Sequence, residues 1–186
     1  LSSDEGLKSA LRQAPDVILI GDIRSEETME FALSFAETGH LCMATLHANN
    51  ANQAIERILH LVPADKHRLL MYDLAFNLKA IVAQQLVPTI DGKSRRAAFE
   101  IMLNSPLISD IMRKGEVHRL KETMSRSREL GMTTFDQSLF ELYQQGAIGF
   151  DEAIAFADSG NEVRVMIKMA AGGNYDSGML DNVTVA

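Results

Sequence analysis

Pro15-Asp16-Val17-Ile18-Leu19-Ile20-Gly21-Asp22-Ile23-Arg24 is the stretch on which the reading of this chain turns. Val17 to Ile20 is uncharged, short and rich in β-branched residues. Such a run predicts a strand buried on both faces of a parallel sheet. A carboxylate, Asp22, stands at its C-terminal end, the end at which open α/β sheets bind ligands. A second apolar run, Leu41 to Leu46, repeats the arrangement and delivers His47. An acid and an imidazole are thus expected at one sheet edge.

Working outward, Leu7, Ala10 and Leu11 recur at helical spacing, with Ser3 or Asp4 as caps and Pro15 as the stop. Between the two runs, Ser25 reads as an N-cap, and Glu26 and Glu27 sit in the first turn, where the helix dipole favours acids. Met29, Ala32, Leu33 and Ala36 form the expected apolar stripe, and Gly39 fits the position just past the helix. Gln53 to Val62 predicts a helix that buries Ile55, Ile58, Leu59 and Val62. A long helix is expected from Asp65 to Ala83. Gln85 to Ile90 and Arg96 to Leu103 read as strands around an Asp91-Gly92 hairpin. Beyond Asn104 no strand pattern appears. Helices are expected at Leu107 to Lys114, Val117 to Leu130, Thr134 to Gln145 and Asp151 to Ala157, with Gly115, Gly131 and Gly146 as punctuation.

The fold class implied is α/β, the C-terminal half of a RecA-like core followed by a small all-helical subdomain. The expected division is 1–104 for the partial core, 105–169 for the helical subdomain and 170–186 for a loose tail.

The 186 residues are 46% hydrophobic, enough for a real core, and the formal charge of −7 argues against general nucleic-acid binding. No apolar run approaches the roughly 18 residues a membrane span needs. The one cysteine, Cys42, forms no internal disulfide, which fits a reducing cytosol. In its apolar run it reads as a small buried hydrophobe. His40, His47, His60 and His67 lack the spacing of a zinc set.

Leu11-Arg12-Gln13-Ala14-Pro15-Asp16 with the run through Arg24 resembles the Walker B segment of secretion ATPases. Glu37-Thr38-Gly39-His40 through Thr45-Leu46-His47 resembles their His box. Both motifs, in that order, make the chain similar to the type IV pilus retraction ATPases, the PilT/PilU group. Ala36 to Asn52 and Glu129 to Phe140 look closest to the PilU branch.

The resemblance implies a cytoplasmic hexameric ATPase, peripheral to the inner membrane. It also implies ATP and Mg²⁺ as cofactors, and a PilT-like motor and an inner-membrane platform protein as partners. On the residues it implies catalytic roles for Asp22 and His47, with Asp22 also holding Mg²⁺ through water. Asp22, Arg24, Glu27, His40 and His47 would face the nucleotide. The family pattern implies Glu where this chain has Asp22, and Arg24 is followed by Ser25 rather than Asp. Leu107 to Lys114 occupies the place of a helical motif that PilT-type motors need for retraction, with Ser109 replacing an early arginine. Arg57, Arg95 and Arg96 are candidate fingers acting across a ring.

No G-x-x-x-x-G-K-[ST] phosphate loop occurs in the chain, and it opens on Leu1. The expectation is a C-terminal piece of a longer motor, inactive alone. The competing expectation is a non-catalytic interaction module that docks a partner motor or membrane platform.

Overall fold

A computed structural model describes residues 15–172. The helix expected over Leu7 to Ala14 and the greater part of the expected tail lie outside the described residues. The described residues divide into two compact units, one formed by residues 15–84 with 100–134, the other by 85–99 with 135–172.

In the first unit, β1 (Val17–Asp22) pairs in parallel with β2 (Leu41–Thr45), Val17 opposite Leu41 and Asp22 opposite Thr45. The crossover is α1 (Glu26–Glu37). Ser25 opens it by accepting the Thr28 amide at 3.2 Å, and Gly39 leaves it at φ 89°, a left-handed conformation that costs glycine little. α1 buries Met29, Ala32 and Phe35 against the core. Phe35, not the expected Leu33 and Ala36, is its anchor. Burial of a phenyl ring of this kind stabilises by about 1.5–3 kcal/mol.

The expectation that β1 and β2 are buried on both faces is corrected. Ile18 and Ile20 are buried, whereas Leu19 is 75% exposed, with Val17, Leu41 and Met43 open beside it. Alternate strand residues face opposite sides, and among the described residues only one side of this strand pair carries a layer. Cys42 is accordingly half-buried.

α2 (Ala51–His60) follows, capped by Asn50, whose side chain accepts the Gln53 amide at 2.9 Å. It buries Ala51, Ala54, Ile55 and Ile58; Leu59 and Val62 are partly buried. A 3-10 turn (Ala64–Lys66) leads into α3 (His67–Asn77). The helix expected to reach Ala83 stops there. Leu78 turns to extended backbone, and β3 (Ala80–Pro88) begins two residues on, pairing with β4 (Arg95–Leu103). The cause is distant in sequence. The Asn104 amide donates to the Ala75 and Leu78 carbonyls at 3.0 and 2.7 Å, closing the C-terminus of α3 from outside. The expected hairpin is present, but its loop is longer than the two residues Asp91-Gly92: the Thr89 amide donates to the Ser94 carbonyl at 3.0 Å and the Gly92 amide to the Thr89 carbonyl at 2.8 Å, with Gly92 at φ 67°.

α4 (Pro106–Lys114) is capped by Ser105 and closed by Gly115 at φ 70°. It buries Ile108, Ile111 and Met112 in the same core cluster as Ile18, Phe35 and Ile55. The helix expected over Val117 to Leu130 is instead a 3-10 turn (Val117–Arg119), a short α5 (Leu120–Ser125) and a second 3-10 turn (Arg128–Leu130). These pieces bring Thr133 into an antiparallel bridge with Ile101. The compact units therefore do not divide at Asn104, because the apolar faces of α4 and α5 complete the α/β core.

The second unit holds the hairpin tip with α6 (Phe135–Gln144), α7 (Phe150–Ala155) and α8 (Gly160–Ala170). Every named element from Pro106 to Ala170 is an α-helix or 3-10 turn, as expected, while this unit also takes in residues 85–99 of the hairpin. Phe135, Leu139, Ile148, Ala153 and Val163 are buried. The Asp136 carboxylate, also buried, accepts the Asp158 and Ser159 amides at 2.8 and 3.1 Å. It thereby fixes the entry to α8, a helix the sequence reading did not include.

Candidate active site

At the C-terminal end of β1 the register with β2 slips between Ile20 and Asp22. Such a bulge re-aims the residue that follows it. The Ile23 amide then donates to the Thr45 carbonyl at 3.0 Å, so Asp22 is held firmly beside the exit of β2. Two residues past Thr45 the chain delivers His47.

The geometry is direct. Arg24 Nε donates to Asp22 Oδ2 at 2.5 Å, and His47 Nε2 lies 3.0 Å from the same oxygen. The Asp22 side chain is 17% exposed; Arg24 and His47 are largely open to solvent. Asp22 Oδ1 has no partner among the described residues. The Arg24 hydrogen bond holds the Asp22 carboxyl below the usual carboxylate range. Partial burial opposes it, while the charges of His47, Arg24 and Arg57 add to it. Asp22 is therefore ionised at neutral pH.

Arg57, on α2, thus contributes to the field at Asp22. Arg95 and Arg96 are exposed residues at the start of β4, in the second unit. Glu27 is exposed in the first turn of α1 and makes no hydrogen bond or ion pair among the described residues. Its neighbour Glu26 instead holds Lys66, with Glu30 at 3.5 Å from the same ammonium.

His40 is not brought to the Asp22 cluster. It precedes Leu41, which pairs with Val17 at the far end of the ladder. At about 3.3 Å per strand residue, that end lies on the order of 16 Å from Asp22. His40 Nδ1 is 3.0 Å from Thr38 Oγ1 and 3.2 Å from the Phe35 carbonyl, and the ring meets Phe35 edge-on. It finishes the C-terminus of α1.

One residue the sequence reading did not single out borders this site. Glu100, on β4, is 3% exposed and accepts the Ala51 amide at 2.8 Å. Its signal is period-two phase: Ala98, Glu100 and Met102 alternate inward along β4.

A carboxylate and an imidazole at the C-terminal ends of adjacent parallel strands suit a group that polarises water and senses an anion. Residues 1–155 match the family described as type II/IV secretion system protein, and the chain belongs to that family. It is 61% identical over 183 residues to the type IV pilus ATPase PilU of Pseudomonas aeruginosa, covering 98% of this chain and 47% of that protein. It is 37% identical over 153 residues to the type IV pilus retractation ATPase PilT of the same organism, covering 82% of this chain and 44% of that one. Among solved structures, the pilus retraction motor PilT with bound ADP is similar at a TM-score of 0.78 and 34% identity, covering 87% of this chain and 45% of that one. The α/β class expected from the sequence agrees with that likeness. The chain spans about half the length of the curated relatives it matches.

Proposed function

We propose that the chain forms part of an ATP-hydrolysing motor for type IV pilus retraction, of the PilU type. The observation that carries this is the placing of Asp22 and His47 within 3.0 Å by two neighbouring parallel strands. Asp22, ionised and with Oδ1 unpartnered, suits a water-bridged Mg²⁺, a cation that is commonly held by one carboxylate, waters and substrate phosphates. Mg²⁺, when bound with ATP, neutralises charge on the phosphates. Asp22 would orient the water, Arg24 would hold Asp22, and exposed His47 would donate to a terminal phosphate. Arg57 is a further cation at that edge. The similarity to PilU and PilT supports a hexameric ring working beside a PilT-like motor. It also supports contact with an inner-membrane platform protein from the cytoplasmic side. No helix among the described residues is long and apolar enough to cross a membrane.

Phosphate binding in such motors rests on a glycine-rich loop and its lysine, and this chain contains no G-x-x-x-x-G-K-[ST]. The 186 residues alone should therefore release no phosphate from Mg-ATP, whereas the full-length product that contains them should turn over. Turnover by the isolated chain near one per second, the low end for ordinary enzymes, would overturn the reading that the phosphate cradle is supplied by other residues. Absence of turnover in the full-length product would overturn the motor reading itself.

A further inference from the structure

His47 is useful only if the loop that carries it is fixed. The ring projects from a short connection between β2 and α2, is 74% exposed in its side chain, and touches Asp22 at one nitrogen. An exposed ring on a surface loop samples many rotamers unless its backbone is held. The backbone here is held at the other end of the connection, four residues on, where α2 begins at Ala51.

We propose that Glu100 is the positioning residue of His47. Its carboxylate reaches from β4 to the first amide of α2, Ala51, at 2.8 Å. The contact joins residues distant in sequence, and both partners are buried, Ala51 fully and Glu100 to 3%. A buried amide left without an acceptor is costly, so this bond is held. The N-terminal turn of a helix also favours negative charge. Other ties also hold this turn. Asn50 accepts the Gln53 amide within the cap, and Gln53 Oε1 accepts the Asn49 amide at 3.3 Å. The Asn52 side chain reaches the Val117 carbonyl, also at 3.3 Å. The Glu100 contact ties this turn to a strand of the core. With Ala51 pinned to β4 and Thr45 pinned by the Ile23 amide, the span from Thr45 to Ala51 is fixed at both ends. His47 sits between the two pins.

The consequence for hydrolysis rests on the reading of Asp22 and His47 as a nucleotide-facing pair; the positioning itself does not. It is tested on the purified chain without nucleotide, by the nuclear Overhauser contact between the His47 ring protons and the Asp22 β protons. Hydrogen exchange at the Ala51 amide is read alongside. Glu100→Met keeps the volume and removes the acceptor, and the Overhauser contact should fall below detection with Ala51 protection lost. Glu100→Asp keeps the carboxyl group but withdraws it by one methylene, and the contact should weaken. Glu100→Gln keeps the reach and an acceptor, and should restore most of it. A contact of undiminished intensity in folded Glu100→Met overturns the proposal. If that variant does not fold, an undiminished contact in Glu100→Asp overturns it as well. Loss of the contact in Glu100→Met with full rescue in Glu100→Gln supports it, whether or not the full-length product hydrolyses ATP.

Discussion

The two ends of the β1–β2 ladder carry the two histidines of one motif, and they use them differently. At the N-terminal end of β2, His40 meets a hydroxyl, a backbone carbonyl and a phenyl edge, all contributed by α1 and its cap. Its Nδ1 is turned into the fold. At the C-terminal end, His47 meets only Asp22 Oδ2, with the rest of the ring in solvent. The same residue type, a few residues apart, packs against a helix end at one end and stands beside a carboxylate at the other. The difference lies in strand direction. In a parallel pair both C-terminal ends open on one edge, and the helix that returns the chain ends at the other.

The largest effect that sharpens this contrast is expected on turnover. In the full-length product, Asp22→Asn and His47→Ala should each lower the rate of ATP hydrolysis by on the order of a hundredfold, the usual loss when one charge-stabilising or positioning group is removed. His40→Ala should leave turnover within about threefold, a difference well under one hydrogen bond in free energy. Steady-state phosphate release under saturating Mg-ATP decides it. A His40→Ala loss equal to that of His47→Ala would erase the distinction between the two ends.

A smaller effect should follow from lengthening the acid. Asp is one methylene shorter than the Glu implied by the family pattern, roughly 1.5 Å of reach. Asp22→Glu should therefore raise turnover roughly tenfold while ATP affinity holds, since charge is kept and about 1 Å of placement is worth that much or more. Separate measurements of nucleotide binding and single-turnover rate check it. An unchanged or lower rate at constant affinity would mean that the bulge at Gly21 already compensates for the shorter side chain.

Why the sequence revealed one end of the ladder better than the other follows from what each depends on. Asp22 and His47 are readable because they end apolar runs, a local property. Ser25, Asn50, Ser105 and the glycines past α1 and α4 are local too, and the caps predicted at Ser25 and Ser105 are present. The misread parts depend on partners far along the chain. Nothing between Asp65 and Ala83 announces that Asn104 will close α3 at Asn77. Nothing local places His40 against Phe35 rather than at the acid. The division at Asn104 misled because a change from strands to helices is not a change of core: Ile108 and Ile111 pack with Ile18. One signal was local and still went unread. Ser159-x-x-Glu162 is a capping-box pattern, and Ser159 does accept the Glu162 amide at the start of α8.

Stability should invert the ranking seen in turnover. His40→Ala removes a buried-edge aromatic contact and the polar closure of α1, and should cost about 1 kcal/mol. For a chain of this size that is a melting shift of about 2–4 °C. His47→Ala should shift the melt by less than about 1 °C, because an exposed ion pair contributes little. Thermal unfolding of the two variants side by side is sufficient. If His47→Ala proves the more destabilising, the C-terminal edge is structural after all.

The smallest effect concerns acid. Asp22 is held below its ordinary pKa chiefly by the Arg24 hydrogen bond, with the charges of His47 and Arg57 assisting. A carboxyl whose folded pKa is depressed contributes stability above its unfolded value, about 3.9, and that contribution is lost as pH falls through the folded pKa. Wild type should thus exceed Asp22→Asn slightly in denaturant midpoint near neutral pH, and the two should converge as pH falls through the depressed folded pKa, where the native carboxyl also takes a proton. The margin is small because Arg24 and His47 stand mostly in water, where pairs are screened. Added salt should narrow it at neutral pH for the same reason. The contrast with the other end of the ladder supplies the control. Thr38 Oγ1 and the Phe35 carbonyl do not ionise in acid, so removing either contact should not produce a gap that closes over the carboxylate range. A wild-type advantage over Asp22→Asn that persists undiminished in strong acid would show that the side chain's shape, not its charge, is what the edge uses.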